Sequence, residues 1–451
     1  MKRYENYKST QIPWVSQVPS HWMLIRNANI LMLKHNIVGD RHTQFNLLSL
    51  TTGGIRIKNA DDARGKVPTS FENYQEVLPG DMVFCLFDLD CSAVFSGKSE
   101  YHGMITSAYD VAVPNLKLVS TSYLDYWFRM VFSGRYYKSY SKSVRYTINW
   151  EIFKALKTSI PPRAEQDQIV RYLDWQVSKI NRLIAAKRKQ IELLSEEKQN
   201  IINAAVLHGV NDRCEKRTSP ILFADWIPSH WRVLRGKYLF AEHDRRTETG
   251  NEVLLSVSHI TGVTPRSEKN ITMFQAESLV GYKICSVDDI AANTMWMWQG
   301  AIAVSDYYGV ISPSYNTYHQ IGNHYNRKYL DYLLRSNVMV NEYKAKSTGI
   351  RKSRLRLYPE QFLSMSFPIP PMDEQLEIVK YIEAKIQRIE VMVSTIHAEI
   401  QKIQDLRARL ISDVVTGQID VRGIEVPTFE YIDESNNNDE NTEEMEAELD
   451  G

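Results

Sequence analysis

One stretch of this chain occurs twice, and the two copies begin 209 residues apart. The first copy starts at Ile160–Gln166 (IPPRAEQ) and the second at Ile369–Gln375 (IPPMDEQ). After each Pro-Pro pair, apolar residues recur in alternating steps of three and four over about 40 residues. Such a seven-residue repeat predicts a long helix that packs along its whole side on another helix. The prolines suit the first turn of a helix, where a missing backbone N–H costs nothing.

The apolar stripes of the two copies are in phase. Every position of the first stripe has a counterpart 209 residues later, and Ile396 fills the position that Lys187 holds in the first copy. The stripe residues are Val177, Ile180, Ile184, Ile191, Leu194 and Ile201, then Ile386, Ile389, Val393, Ile396, Ile400, Ile403 and Leu410. A helix of about 43 residues would be about 65 Å long. Two unrelated surface helices would not keep this phase. We therefore expect an antiparallel coiled coil about a pseudo-two-fold axis, which acts as a spacer.

The repeat extends beyond the long helices. Val18–Trp22 (VPSHW) is matched 209 residues later by Ile227–Trp231 (IPSHW). Further matches, at offsets of 206 to 207, join Leu47–Leu50 to Leu254–Val257 and Tyr123–Tyr126 to Tyr329–Tyr332. We therefore expect an α/β (α+β) fold with an internal duplication, in which a globular domain and a long helix are followed by the same again.

Between these anchors the two globular halves differ in sequence. Phe84–Asp88 (FCLFD), for example, is not matched by Thr294–Trp298 (TMWMW). Matching anchor segments with different sequences between them indicate two modules that perform the same function on different targets. The alternative is sequence drift after duplication. The predicted boundaries are 1–162 and 213–371 for the globular domains, 163–212 and 372–423 for the long helices, and 424–451 for a tail.

The net charge of zero hides an uneven distribution. Residues 424–451 hold eleven acidic side chains and no lysine or arginine, which leaves 54 basic against 43 acidic residues in 1–423. The tail has too little apolar surface to fold, so we predict that it is disordered. A body with a net charge of +11 favours a polyanionic partner.

Each globular half carries a basic, hydroxyl-rich segment just before its long helix, Tyr140–Tyr146 in the first half and Lys346–Arg356 in the second. Arginine and lysine beside serine, threonine and tyrosine form the composition that contacts phosphates and base edges. Singly each of these cations is an ordinary surface charge, but as clusters they indicate DNA binding. The candidates are Arg56, Lys58, Arg64, Lys66, Lys142 and Arg145, then Arg245, Arg246, Arg266, Lys269, Arg351, Lys352, Arg354 and Arg356.

The sequence shows no motif for catalysis, for a metal or for a membrane span. Gly97–Ser99 resembles the end of a phosphate-binding loop, but the glycine required five residues earlier is Ser92. The four cysteines form no C-x-x-C pair, and no run of 18 apolar residues occurs. We therefore expect a cytoplasmic protein with no catalytic residue, no bound metal and no membrane contact. A self-contained methyltransferase-nuclease is the least favoured alternative.

The paired V/I-P-S-H-W segments, the I-P-P-x-x-E-Q junctions and the duplicated helices resemble the specificity (S) subunit of Type I restriction-modification systems. The resemblance covers residues 12 to about 423. It implies two target-recognition domains, each reading one half of a split sequence in double-stranded DNA. It also implies two modification subunits that carry S-adenosylmethionine and, through them, restriction subunits that use ATP and Mg. Methylation and cleavage would belong to those partners.

The sequence also allows one alternative of a different class. The chain could be a non-enzymatic coiled-coil protein that binds DNA or regulates other proteins, such as an orphan specificity subunit without active partners. A regulatory protein of this kind would show no preference for a split DNA sequence.

Overall fold

A computed structural model describes residues 2–58, 70–143, 145–211, 213–268, 278–349 and 355–432. The chain divides into two compact units. Unit 1 contains the described residues of 2–188 and 397–432, and unit 2 contains those of 189–396. Among the described residues, no helix combines the length and the apolar character that a membrane span requires.

Short strands and short helices build the globular part of unit 1. The strands are β1 (Tyr7–Ile12), β2 (Val15–Pro19), β3 (Met23–Arg26), β4 (Leu31–Lys34), β5 (Asn46–Thr51), β6 (Gly54–Ile57), β7 (Gln75–Val77), β8 (Met82–Phe84), β9 (Ser96–Lys98), β10 (Gly103–Ile105), β11 (Asp110–Pro114) and β12 (Lys157–Ile160). The helices are α1 (Asn27–Ile30), α2 (Thr121–Ser133) and α3 (Trp150–Ala155), with 3-10 turns at Gly39–Gln44 and Tyr136–Tyr140. The long helix α4 (Arg163–His208) follows.

The globular part of unit 2 repeats this order. Its strands are β13 (Lys216–Thr218), β14 (Trp226–Pro228), β15 (Arg232–Arg235), β16 (Phe240–His243), β17 (Leu255–Ser258), β18 (Gly262–Pro265), β19 (Lys283–Cys285), β20 (Ile290–Ala292), β21 (Ile302–Val304), β22 (Gly309–Ile311), β23 (Asn316–Gln320) and β24 (Ser366–Ile369). Its helices are α5 (Arg327–Leu334), α6 (Asn337–Lys346) and α7 (Pro359–Ser364), with 3-10 turns at Gly236–Tyr238, Arg266–Glu268 and Met297–Gln299. The second long helix is α8 (Met372–Val415).

The two globular parts share their sheet topology. The order β4-β11-β8-β9 in unit 1 recurs as β16-β23-β20-β21 in unit 2, and the pair β3–β12 recurs as β15–β24. The parallel pairing of β5 with β10 is matched by a parallel bridge between Leu254 and Val310. The mixed helix and strand content and the long helices agree with the predicted fold class, and the duplication includes the order of the strands.

Each globular core is completed by the end of a long helix from the other copy. In unit 1, Trp22, Tyr123 and Trp127 are buried together with Val414 and Val415 of α8. In unit 2, Trp231 and Tyr329 are buried together with Ile202, Val206 and other residues of α4.

One pair of hydrogen bonds shows that this exchange is reciprocal. The Tyr123 hydroxyl donates to the carbonyl of Val415 at 3.2 Å, and the Tyr329 hydroxyl donates to the carbonyl of Val206 at 2.8 Å. Because Val206 and Val415 are 209 residues apart, the same contact is made twice with the two copies exchanged.

Segments of α4 and α8 are paired inside each unit. In unit 1, Arg407 donates to Asn181 at 2.8 Å and Lys187 pairs with Glu399 at 2.6 Å, so the segments run antiparallel. In unit 2, Lys198 pairs with Glu390 at 2.8 Å. Of the predicted stripe, six residues are buried and the others are half-buried; the buried ones are Val177, Ile184, Ile386, Ile389, Ile396 and Ile400. That these helices act as a spacer stays a prediction.

The Glu-Gln pair after each Pro-Pro joins a long helix to its globular domain. Glu165 accepts hydrogen bonds from the Trp22 indole at 3.0 Å, from the His21 ring at 2.9 Å and from the Tyr4 hydroxyl. Burial, together with the Glu165 carboxylate, raises the pKa of Tyr4 well above its usual value, so this phenol stays a donor. The counterpart Glu374 accepts from the Trp231 indole at 2.6 Å.

The neighbouring glutamine makes the same contacts in both units. The buried Gln166 amide accepts from the backbone N–H of Ser120 at 2.7 Å and donates to the carbonyl of Pro161 at 2.8 Å. Its counterpart Gln375 accepts from Asn326 at 2.7 Å and donates to Pro370 at 2.9 Å. The repeated motif therefore has a structural reason, because both side chains bind buried groups of the domain that precedes the helix.

The matched glutamates give a stability prediction. The Glu165 side chain is 6% exposed and Glu374 is 27% exposed. Glu165→Ala leaves buried donors of Trp22 and Tyr4 without an acceptor and should cost about 2–4 kcal/mol, whereas Glu374→Ala should cost about 1–2 kcal/mol. Urea denaturation followed by tryptophan fluorescence measures both losses. Equal losses would contradict the view that burial of the carboxylate sets the cost.

The first part of the acidic tail departs from the sequence prediction. The composition predicts disorder from residue 424 onward, but residues 424–432 lie along α4 in unit 1. Gln168 donates to the carbonyl of Ile424 at 2.7 Å, and Asn181 donates to that of Ile432 at 2.9 Å. Ile424 and Val426 also pack against the core of unit 1, and these apolar residues explain the difference. The prediction for 433–451 lies outside the described residues.

Two truncations test the role of this segment. A chain that ends at residue 423 loses the hydrogen bonds to Asn181 and to the Ser178 hydroxyl, and unit 1 should lose about 1–3 kcal/mol. A chain that ends at 432 keeps these contacts and should match the full chain. Hydrogen exchange of the α4 amides in 168–182 separates the two results, and equal exchange rates in both truncations would refute the prediction.

Candidate nucleic-acid interface

In both units, a residue just after the basic segment bonds to the loop that follows a central strand. In unit 1 the backbone N–H of Ile148 donates to the carbonyl of Leu86 at 2.9 Å. In unit 2 the N–H of Leu357 donates to the carbonyl of Thr294 at 3.4 Å. The offsets of 208 to 209 residues show that these are equivalent contacts. The frame therefore holds the chain just after each basic segment against a loop whose sequence differs between the halves.

In unit 1 an ion pair joins the two loops. Arg145 donates from Nε to Oδ1 of Asp88 at 2.9 Å and from Nη2 to Oδ2 at 2.6 Å. The backbone N–H of Asp88 in turn donates to the carbonyl of Arg145 at 3.0 Å. Hydrogen bonds from the guanidinium lower the pKa of Asp88 below its ordinary value, so the carboxylate is ionised at neutral pH.

Two further cations stabilise this pair of loops. Arg135 donates from Nη1 to the carbonyls of Leu89 at 3.2 Å and Ser92 at 2.9 Å. The Lys138 ammonium lies over the ring of Tyr146, 4.2 Å from its centre. Lys142, on the same basic segment, is exposed. The arrangement is a fixed loop that presents cations to solvent, which suits contacts with phosphates and base edges.

The equivalent loop of unit 2 has a different chemistry. Trp296 and Trp298 are stacked with ring centres 6.1 Å apart, and Met295 is exposed. The side chains of Asn293 and Thr294 hold the loop by hydrogen bonds to Tyr315 at 2.9 Å and to the carbonyl of Ser314 at 2.8 Å. An apolar, aromatic surface thus occupies the place that a charged pair occupies in unit 1. Such a surface suits contacts with thymine methyl groups or base faces.

The structure places the other predicted cations at several sites. In unit 1, Arg56 is half-buried at the end of β6 and Lys58 is exposed just beyond it. In unit 2, Arg245 donates to the Ser286 hydroxyl at 3.2 Å and Arg246 pairs with Asp244 at 3.0 Å. Arg266 is half-buried, and Arg356 is exposed in a backbone bridge to Thr348. The predictions at Arg64, Lys66, Lys269, Arg351, Lys352 and Arg354 lie outside the described residues. A role in DNA binding stays a prediction for all fourteen candidates.

Sequence reasoning missed Asp88 and Arg135. A carboxylate gives no signal of DNA binding, and Arg135 lies outside the basic segments. Their contacts depend on the fold, because 57 positions separate Asp88 from Arg145. Only the unusual difference between the two loop sequences could have directed attention to this region.

A cavity of about 230 Å³ in unit 1 was also not predicted. Several of its charged groups are paired with one another, as in the Arg129–Asp125 bridge at 2.8 Å and the Lys98–Glu100 bridge at 3.2 Å. Tyr126 donates to Asp174 at 2.7 Å. Burial raises the pKa of Asp174 above its ordinary value. Within the described ranges, no group of three or more histidine, cysteine, aspartate or glutamate side chains could hold a metal ion.

Comparison with known proteins defines the class that this fold and these repeats resemble. No family model matches the chain. The chain is 23% identical over 460 residues to the putative type I restriction enzyme MjaX specificity subunit of Methanocaldococcus jannaschii, covering 93% of this chain and 97% of that protein. It is 21% identical over 432 residues to the type I restriction enzyme MjaVIII specificity subunit of the same organism, covering 90% and 95%.

A solved structure shares the fold. It comes from work on complex assembly and conformational transition of the type I R-M system, and one of its chains matches with a TM-score of 0.60 at 13% identity. The match covers 89% of this chain and 99% of that chain. The resemblance to type I specificity subunits that the sequence motifs indicated is therefore confirmed over most of the chain.

Proposed function

We propose that this chain is the DNA-recognition subunit of a type I restriction-modification complex. Unit 1 reads one half of a split target in double-stranded DNA and unit 2 reads the other half. The observation that carries the proposal is the pair of equivalent loop contacts, Ile148 with Leu86 and Leu357 with Thr294. One frame thus presents two chemically different surfaces, which is what a reader of two unlike half-sites requires.

The chemistry of the complex belongs to partners in this proposal. Two modification subunits supply S-adenosylmethionine and methylate the target. Restriction subunits, which bind through them, use ATP and Mg to cleave unmodified DNA. The contribution of this chain is to select the sequence and to position the partners on it.

The host genome provides the direct test. Single-molecule sequencing reads methylated bases, and a split motif should be methylated in the parent strain and lost when this gene is deleted. Return of the gene should restore the motif. If no split motif depends on the gene, the chain is a regulatory or orphan protein and the proposal is wrong.

A domain exchange tests whether each unit reads its half-site independently. Strand β3 pairs with β12 along its whole length, from Met23 with Ile160 to Arg26 with Lys157. Exchange of residues 27–156 for the matching part of another specificity subunit keeps this pair and both long helices. The methylated motif should change in one half and stay the same in the other. Changes in both halves would show that the units do not read independently.

A further inference from the structure

Positive φ angles, which are uncommon for residues other than glycine, cluster in and beside the loops that carry Asp88 and Arg145. Among the described residues, the non-glycine residues with positive φ are Asp88 at 52°, Arg135 at 51°, Tyr146 at 46° and Asp288 at 70°. Three of these four lie in the loop pair or bind it directly. Positive φ costs energy for residues with a side chain, and it persists where the surroundings fix it, often at functional sites. This concentration indicates that the position of the Asp88–Arg145 pair is important.

The ion pair uses only one edge of the Arg145 guanidinium. Asp88 accepts from Nε and Nη2, which lie along the side of the group. The end of the group, formed by Nη1 and the second hydrogen of Nη2, has no hydrogen-bond partner in the described part of the chain. The side chain is 71% exposed. Two parallel donors at this end match the O6 and N7 acceptors of guanine in the major groove.

We infer that Arg145 reads a guanine in the half-site bound by unit 1, and that Asp88 is the residue that positions it. The inference rests on the proposed function. An arginine held by a fixed carboxylate has lost most of its rotamer freedom before DNA arrives, so binding costs less entropy. The carboxylate itself faces the arginine and is neutralised by it, which reduces its repulsion of nearby phosphates.

The ion pair is not required to hold the loops together. Backbone hydrogen bonds already join them, from Asp88 to Arg145 at 3.0 Å, from Leu89 to Tyr146 at 3.4 Å and from Ile148 to Leu86 at 2.9 Å. Arg135 adds its two bonds to the carbonyls of Leu89 and Ser92. A second, exposed link between the same loops adds little stability. A guanidinium whose end is held in place instead provides a group that can contact a base.

The position in unit 2 that corresponds to Asp88 does not hold a carboxylate. Strand β20 of unit 2 is the counterpart of β8 in unit 1, and the two begin 208 residues apart. At this offset Trp296 is the counterpart of Asp88. An indole cannot accept the side-on hydrogen bonds that hold Arg145. The Asp88–Arg145 arrangement therefore cannot form at this position of unit 2, and the half-site of unit 2 serves as a control within the same molecule.

The experiment returns Arg145→Ala in the full chain to a strain that lacks the gene, and methylation is read across the genome. One base pair of the unit 1 half-site should lose its requirement for guanine, with discrimination falling by about 5- to 150-fold. The other half-site and the gap should not change. Asp88→Ala should act at the same base pair with a smaller effect, and it should add nothing in the Arg145→Ala background.

Lys142→Ala is the matched control. It removes an exposed cation from the same segment without touching the ion pair. Loss of one phosphate contact should lower the slope of log affinity against log salt by about 0.9 and leave the motif unchanged. The domain exchange at 27–156 identifies the half-site that belongs to unit 1.

A measurement on the unaltered chain tests the inference without depending on how well the variants fold. Chemical methylation of guanine N7 in a DNA duplex with the target sequence should block binding of the purified chain at one guanine of the unit 1 half-site. Absence of any such guanine would overturn the inference. An unchanged motif in Arg145→Ala, or a uniform loss of methylation with no change in base preference, would also overturn it. If even the unaltered gene restores no split motif, the proposed function fails with it.

Discussion

The buried contacts at the first turn of each long helix are the constraint on which the rest of the structure depends. A carboxylate that binds an indole, followed by an amide that binds three backbone groups, joins α4 and α8 to the domains before them. Because most of these acceptors and donors are buried, a shift of the helix would leave several of them unpaired. The loops of each domain therefore keep a fixed position relative to the first turn of its helix.

This fixed frame explains how two different surfaces arise in one chain. The order of the strands, the Trp-Glu contact and one loop-to-loop hydrogen bond recur in both units, while the loop side chains differ. Unit 1 presents an arginine beside a carboxylate, and unit 2 presents stacked tryptophans. Loops carry recognition on a rigid scaffold because they can change without loss of the core. The duplication has kept the scaffold and varied the contact surface.

The long helices and the duplication could be predicted because both appear in the sequence as regular spacings of residues. Apolar residues spaced three and four positions apart predicted which faces of α4 and α8 pack inward, and the 209-residue offset identified the two copies. The sequence did not predict the Asp88–Arg145 pair, since that contact joins two loops far apart in the chain, and the positive φ angles of Asp88 and of the neighbouring Tyr146 leave no signal in the sequence. It also failed at residues 424–432, where a few apolar side chains outweigh an acidic composition. Composition describes a segment as a whole, whereas docking depends on single residues.

The reciprocal bonds of Tyr123 with Val415 and of Tyr329 with Val206 have a consequence for the gene that encodes the chain. A fragment that carries only one copy would contain a tyrosine whose carbonyl partner lies in the missing half. The helix end of a second identical fragment could supply that carbonyl, because the two positions are equivalent. A premature stop between the copies would then leave a product whose folding depends on its concentration, and whose symmetric pair would present the same loops twice.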